Sequence, residues 1–165
     1  MVITKVVELA PGALKAMLAR APAPITNALI ERLFQQIFKA DLAAGAFDFL
    51  SNRWVRIEVR DIGLKFAISV QQLPQSAHFK VVSSTAHPDV FMRVDWSALL
   101  QLSTQQVDPD TLFFRRKLLL TGDTELGLQV KNLLDTIELR QRLPGPCYRL
   151  LANLAERTAT VKSLT

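Results

Sequence analysis

The feature that most constrains this chain is a change of hydrophobic period near residue 53. From Arg53 the pattern alternates, with Val55, Ile57 and Val59 pointing one way and Trp54, Arg56, Glu58 and Arg60 the other. Side chains that repeat every second residue line one face of a strand. Asp61-Ile-Gly63 is a turn signal, after which Leu64, Phe66, Ile68 and Val70 alternate with Lys65, Ala67 and Ser69. The two runs predict a β-hairpin with one apolar and one wet face. An apolar sheet face has to be covered, so the flanking segments must supply the cover.

Upstream, Thr26 or Asn27 caps a helix that runs through Leu42 and ends near Gly45, carrying Leu29, Ile30, Leu33, Phe34, Ile37, Phe38 and Leu42 as a packed set. Downstream, Phe79 and Val81 mark a third strand, and residues 89–94 a fourth with Val90, Met92 and Val94 on one face. Asp95 caps a short helix containing Trp96, Leu99, Leu100 and Leu102. Asp108-Pro109-Asp110 opens another, with Leu112, Phe113 and Phe114, because the fixed φ of proline suits the first helical turn. Lys117 to Thr121 reads as a fifth strand. A helix over residues 124–139 follows, with Leu126, Val130, Leu133, Leu134 and Ile137 as one stripe facing the sheet. Pro144-Gly-Pro146 stops it, and a last helix carries Tyr148, Leu150, Leu151 and Leu154. The fold class is α+β with one sheet.

The division expected is an amphipathic N-terminal arm and linker over residues 1–24, a main domain over 25–141, and a C-terminal helix and tail over 142–165. In the arm, Pro11-Gly12 separates two short helical pieces, and Ala21-Pro-Ala-Pro24 reads as a linker that excludes a continuous helix. Hydrophobic residues make up 49% of the chain and charged residues 21%, which excludes disorder except at the ends. Lysines, arginines and glutamates interrupt every apolar run before the ~18 residues that a span needs. The start lacks the order of a secretory signal, so a cytoplasmic location is expected.

The net charge of +5 is uneven: residues 1–42 hold five basic and three acidic groups, residues 140–165 five and one, and the middle is near neutral. Basic ends with apolar neighbours suit contact with an anionic membrane interface, and a homodimer would supply the second anchor that short helices need. A nucleic-acid-binding module fits less well, because the middle is neutral and has no aromatic-basic strand pattern. His78 and His87 have no Cys or paired carboxylate at ligand spacing, and Cys147 is the single cysteine, so no metal and no cofactor are expected. Asp108, Asp110, Asp123 and Glu125 fall two per helix start, where capping explains them. A small enzyme using Asp108, Asp123 or His87 is the catalytic rival. Arg115, Arg116 and Lys117 form the densest basic run, either a solvated helix end or an anchor for an anionic head group at a cavity mouth.

Large apolar groups are in excess: Phe47, Phe49, Phe66, Phe79, Phe91, Phe113, Phe114, Trp54 and Trp96 accompany the leucine-rich helices. They either fill the space between sheet and helices or surround a ligand tunnel there. The residues by themselves leave both open, and a scaffolding protein with a filled core is the plain alternative.

The stretch Asp108-Pro-Asp-Thr-Leu-Phe-Phe-Arg-Arg-Lys-Leu-Leu-Leu-Thr-Gly-Asp-Thr-Glu-Leu-Gly-Leu-Gln-Val-Lys-Asn-Leu-Leu-Asp-Thr-Ile-Glu-Leu139 resembles the sterol-carrier (SCP2) family, in its branch of ubiquinone-biosynthesis accessory factors. Trp54-Val-Arg-Ile-Glu-Val-Arg-Asp61 and Pro88-Asp-Val are similar less specifically, so the resemblance covers about residues 30–140. It implies a five-stranded sheet packed on helices around an apolar tunnel, with helical N- and C-terminal extensions. It also implies a non-enzymatic, peripherally membrane-associated accessory protein of oxygen-independent ubiquinone biosynthesis. Its ligands would be isoprenoid quinone intermediates or phospholipids, and its partners hydroxylase proteins of the UbiU and UbiV type. On that basis Phe66, Ile68, Phe79, Val81, Met92, Val130, Leu133, Leu134 and Ile137 are expected to line the tunnel. Arg115, Arg116 and Lys117 would anchor the head group.

Overall fold

The computed structural model describes residues 12–85 and 87–163, with side chains through residue 157. Residues 12–20 form a helix, α1, and the first apolar piece of the arm, Val2 to Leu9, lies outside the described residues. Then come α2 (Ala23–Ile37) and α3 (Lys39–Ala43), followed by β1 (Val55–Val59), β2 (Leu64–Leu73), β3 (Ser76–Val82) and β4 (Val90–Val94). The chain continues through α4 (Trp96–Ser103), α5 (Pro109–Phe114), β5 (Leu118–Gly122), α6 (Thr124–Thr136), α7 (Leu139–Arg142) and α8 (Gly145–Ser163). Short 3-10 turns occupy Asp48–Leu50 and Arg60–Ile62.

The five strands form one sheet in the order β3-β2-β1-β4-β5. β1 pairs antiparallel with β2 and parallel with β4, and β5 pairs antiparallel with β4. The tight turn predicted after β1 is present, with Gly63 in the left-handed region that glycine enters without steric cost. Register sets the two faces apart. Val55 lies opposite Ile68 and Val90, and Ile57 opposite Phe66 and Met92, while Val59 lies opposite Leu64 and Val94. These rows make an apolar inner face. Arg56, Glu58, Lys65, Phe91 and Arg93 occupy the other face, where Glu58 lies 3.8 Å from Lys65 and 3.7 Å from Arg93. Two residues assigned to the wet face are in fact buried. Ser69 donates a hydrogen bond to the Leu50 carbonyl under the first 3-10 turn, and Ala67 lies in register between Arg56 and Val82, whose longer side chains shade it.

α2 starts earlier than expected, at Ala23, because Pro22 takes the cap and Pro24 falls in the first turn, where a missing N–H costs nothing. The linker therefore shrinks to Ala21 and Pro22. The helix breaks at Phe38 and α3 completes it. Glu31 and Gln35, one helical turn apart, accept hydrogen bonds from the backbone amides of Val81 and Phe79 at 3.0 and 3.1 Å. Two side chains of α2 thus satisfy the open edge of β3, which would otherwise be a template for pairing with another chain. Leu29 and Leu33, expected to be packed, lie instead on the outer side of α2 with Ile25, at 56%, 46% and 63% exposure. Seven apolar positions at mixed spacings span more than one helix face, and only Ile30, Phe34, Ile37, Phe38 and Leu42 turn inward.

α6 ends at Thr136, three residues short of the predicted limit. Ile137 is extended, the Thr136 hydroxyl bonds back to the Leu133 carbonyl, and Gln105 donates to the carbonyl of Ile137. Back-bonding of this kind competes with continuation of the helix. Arg142 then forms a bidentate pair with Asp41 at 2.6 and 2.8 Å, which ties α7 to α3 across the chain.

At the bottom of the sheet the loops before β1 and β4 and after β5 are stitched together. Asp89 accepts from Arg53 Nε at 2.9 Å and from the Trp54 amide at 2.7 Å, while its carbonyl accepts from the Asp123 amide at 2.8 Å. Gly122 stands beside it with φ +110°, and an added Cβ would lie 2.3 Å from the Asp89 carbonyl oxygen. Gly122→Ala is therefore expected to cost about 2 kcal/mol or more, read as a lower urea midpoint. Asp41→Asn probes the other tie. The Arg142 hydrogen bonds, with its charge, hold the Asp41 carboxyl below the usual carboxylate range, against the opposing effect of burial. A depressed folded value contributes stability above the unfolded value of about 3.9, and that contribution disappears as pH falls through the folded value. The stability gap between wild type and Asp41→Asn should be constant near neutral pH and close in acid; a gap that widens in acid would contradict the assignment.

Candidate functional site

The nine side chains expected around a tunnel fall into one apolar cluster between the inner face of the sheet and the helices. Phe66, Ile68, Phe79, Val81 and Met92 come from β2, β3 and β4 and are all buried, while Val130 is the buried member contributed by α6. Leu133, Leu134 and Ile137 pack against the same cluster and are partly buried. The structure therefore brings together all nine, on the layer where the alternating strands and the α6 stripe meet.

The two ends of this layer differ. Toward β3 it is filled by rings: Phe79 meets Phe47 and Phe34 with centroids 4.9 and 5.6 Å apart, and Phe34 meets Phe66 at 6.3 Å. Edge-to-face packing of this kind is close and specific, and it leaves little slack. Toward β5 the lining is aliphatic, with Met92 and Val130 buried and Leu120, Leu133, Leu134, Ile137, Leu99, Val107 and Leu139 only partly buried. Flexible aliphatic chains yield to a guest more readily than interlocked rings.

On the opposite side of β5, a cleft of about 430 Å3 opens among Arg60, Arg93, Phe113, Phe114, Arg116, Lys117, Leu118 and Leu119. Arg116 and Lys117 of the basic run line it, whereas Arg115, the C-cap of α5, is not among its lining residues. Arg60 and Arg93 were missed by sequence reasoning. They are remote in the chain, and only the β4–β5 pairing, with Arg93 opposite Leu119, brings the outer face of the sheet to the end of α5.

The carboxylates considered for chemistry have structural work. Asp108 accepts from the Thr111 amide and hydroxyl at 2.8 and 2.7 Å, and Asp123 from the Leu126 amide and Arg53 Nη2, both at 2.9 Å. These hydrogen bonds, the Thr111 hydroxyl first for Asp108 and the Leu126 amide first for Asp123, hold both groups below the usual carboxylate range. Asp110 pairs with Lys131 at 2.7 Å. His78 shares a hydrogen bond with Ser76. Among the described residues no three His, Cys, Asp or Glu side chains gather as a metal site.

A five-stranded sheet with an apolar layer under helices on one face is the architecture that the resemblance implied, and the comparisons agree. Residues 30–135 match the model of the SCP-2 sterol transfer family. The chain belongs to that family. Within it, the chain is 39% identical over 153 residues to the ubiquinone biosynthesis accessory factor UbiT of Escherichia coli strain K12, covering 93% of this chain and 84% of that one, with the same figures for the protein of strain O157:H7. Among solved structures, a UbiJ-SCP2 ubiquinone synthesis protein superposes with a TM-score of 0.52 at 20% identity, over 68% of this chain and 95% of the other, which supports the fold.

Proposed function

We propose that this protein is a non-catalytic lipid-binding accessory factor of ubiquinone biosynthesis, which holds an isoprenoid quinone intermediate or a phospholipid between its sheet and its helices. The observation that carries this reading is the single apolar layer that gathers residues from β2, β3, β4 and α6. Its setting is a chain 39% identical to a named ubiquinone-biosynthesis accessory factor over most of both lengths. The finer reading follows the resemblance carried by residues 108–139: an oxygen-independent branch of the pathway, a cytoplasmic location, and hydroxylase partners of the UbiU and UbiV type.

The physics favours such a carrier. A polyprenyl tail exposes several hundred square ångströms, and at ~25 cal/mol per Å2 its transfer to an apolar layer is worth on the order of 10 kcal/mol before ordering costs. A guest enters on the β5 side, where α6 presents Leu133, Leu134 and Ile137 only partly buried; the rings around Phe79 close the far end, with Phe66, Ile68 and Val81 as that wall. Entry displaces side chains and moves α6, which ends in an extended residue and packs on β5 and α5.

Contact with a membrane interface is supported by the outer side of α1 and α2, where Met17, Ile25, Leu29 and Leu33 are exposed beside Lys15, Arg20 and Arg32. Among the described residues no helix is long and apolar enough to cross a membrane, so this contact lies in the interface plane. A homodimer that leaves this stripe exposed on both copies would double the anchoring.

Two tests follow. A charge placed in the layer, Leu133→Asp, should remove lipid that co-purifies with the protein, seen by native mass spectrometry; unchanged lipid in the folded variant counts against the carrier. Leu29→Glu with Leu33→Glu, at exposed positions, should leave the thermal midpoint within about 2 °C of wild type and reduce flotation with anionic vesicles several-fold. Equal flotation removes the stripe from the membrane contact.

A further inference from the structure

The end of α5 closes with a backbone arrangement that favours glycine and has arginine instead. The Lys117 amide donates to the Leu112 carbonyl at 2.9 Å and the Arg116 amide to that of Phe113 at 3.0 Å, the paired bonds of a Schellman cap. Arg116 sits at its left-handed position with φ +57°, where a Cβ is a steric cost that glycine avoids. α4 ends the same way with Gln105 at φ +55°. There the side chain is employed, its amide donating to the carbonyl of Ile137 at 3.1 Å. Arg116 has no ion pair among the described residues, and neither does Lys117. A strained residue whose side chain reaches into a cleft rather than into the fold points to an occupant of that cleft.

The cleft itself states the chemistry. Arg116 and Lys117 form one wall, and Arg60 and Arg93, from the turn after β1 and from β4, form the other. Arg60 meets Asp95 at 3.2 Å and Arg93 reaches Glu58 only at 3.7 Å, and the Nε of Arg93 is buried without a hydrogen-bond partner. Four cations face two carboxylates, so the cleft selects an anion. Its rim is apolar: Phe114 is 80% exposed and Phe113 44%, their rings edge-to-face with centroids 6.0 Å apart, and Leu119 beside them is 40% exposed. A soluble anion has no use for those rings, whereas a phospholipid interface offers phosphate and acyl chain side by side.

We propose that the α5–β5 cleft is a second surface, besides the α2 stripe, by which the protein docks on an anionic phospholipid membrane. Head-group phosphates meet Arg116, Lys117, Arg60 and Arg93, and the Phe114 ring enters the boundary with the acyl chains. The proposal rests on the lipid-carrier reading above and adds to it a second surface of contact, at the β5 edge of the sheet and separate from the α2 stripe on the β3 edge. Rising salt weakens the docking, because exposed cations are screened within a Debye length.

The test uses the full-length protein and phosphatidylcholine vesicles with or without phosphatidylglycerol, read by co-sedimentation. Arg116→Gly relieves the left-handed strain while removing a cation, so the thermal midpoint should rise by about 2 °C as binding to phosphatidylglycerol vesicles falls about fivefold. Combining it with Lys117→Glu should weaken binding at least about tenfold further, and Phe114→Ser alone should weaken it several-fold. Co-purified lipid should be retained in all three, which separates this surface from the interior site; docking that depends on the cleft in a protein without interior lipid would leave this proposal standing and count against the carrier alone. Undiminished binding of the Arg116→Gly, Lys117→Glu variant would overturn it. So would equal binding to vesicles of phosphatidylcholine alone, or displacement of the vesicles by inorganic phosphate or a single-stranded oligonucleotide at lower concentration than the lipid.

Discussion

Asp89 is the point at which the sheet is held in register. One carboxylate oxygen takes the Arg53 guanidinium, the other takes the Trp54 amide, and its carbonyl takes the Asp123 amide. Arg53 in turn reaches Asp123, whose second oxygen caps α6 through the Leu126 amide. Three segments far apart in the chain are thereby fixed: the entries to the parallel strands β1 and β4, and the turn from β5 into α6. A parallel pair has no hairpin to set its register, so side chains must do it. The close approach of Gly122 to the Asp89 backbone is the steric half of the same constraint.

With register fixed, the inner face becomes continuous and its cover becomes divisible. α2 holds one edge by polar bonds to the β3 backbone and fills the space beneath with rings. α6 holds the other edge by two buried aliphatic residues and a cap, with the rest of its stripe half-buried. The difference is mechanical as well as chemical. An edge tied by hydrogen bonds and interlocked rings is stiff, and an edge covered by a thirteen-residue helix that breaks at Ile137 can yield. Carrying a guest needs both, a wall that keeps its shape and a side that admits the tail.

The outer face has a separate economy of charge. Glu58 lies between Lys65 and Arg93, and Arg93 and Arg56 lie over the Phe91 ring at 5.2 and 5.9 Å. This arrangement keeps the exposed side of the sheet wet and unattractive to a second sheet. It also delivers basic groups to the β5 edge, where the exposed phenylalanines of α5 stand.

Local pattern decided much of this protein. Alternation defined β1 and β2, Asp108-Pro109 and Asp123 marked two helix starts, and the α6 stripe named its buried face, because strand period, cap chemistry and helix period are properties of neighbours in the chain. The resemblance carried by residues 108–139 added the family. Tertiary structure alone decided the rest. Nothing in the spacing of Glu31 and Gln35 marks them for the β3 backbone, and Leu29 and Leu33 read as core until α2 was turned against the sheet. Arg60 and Arg93 joined Arg116 and Lys117 only through strand order. A sequence sets which side chains share a face; which face meets which is set by long-range packing, and no spacing along the chain encodes it.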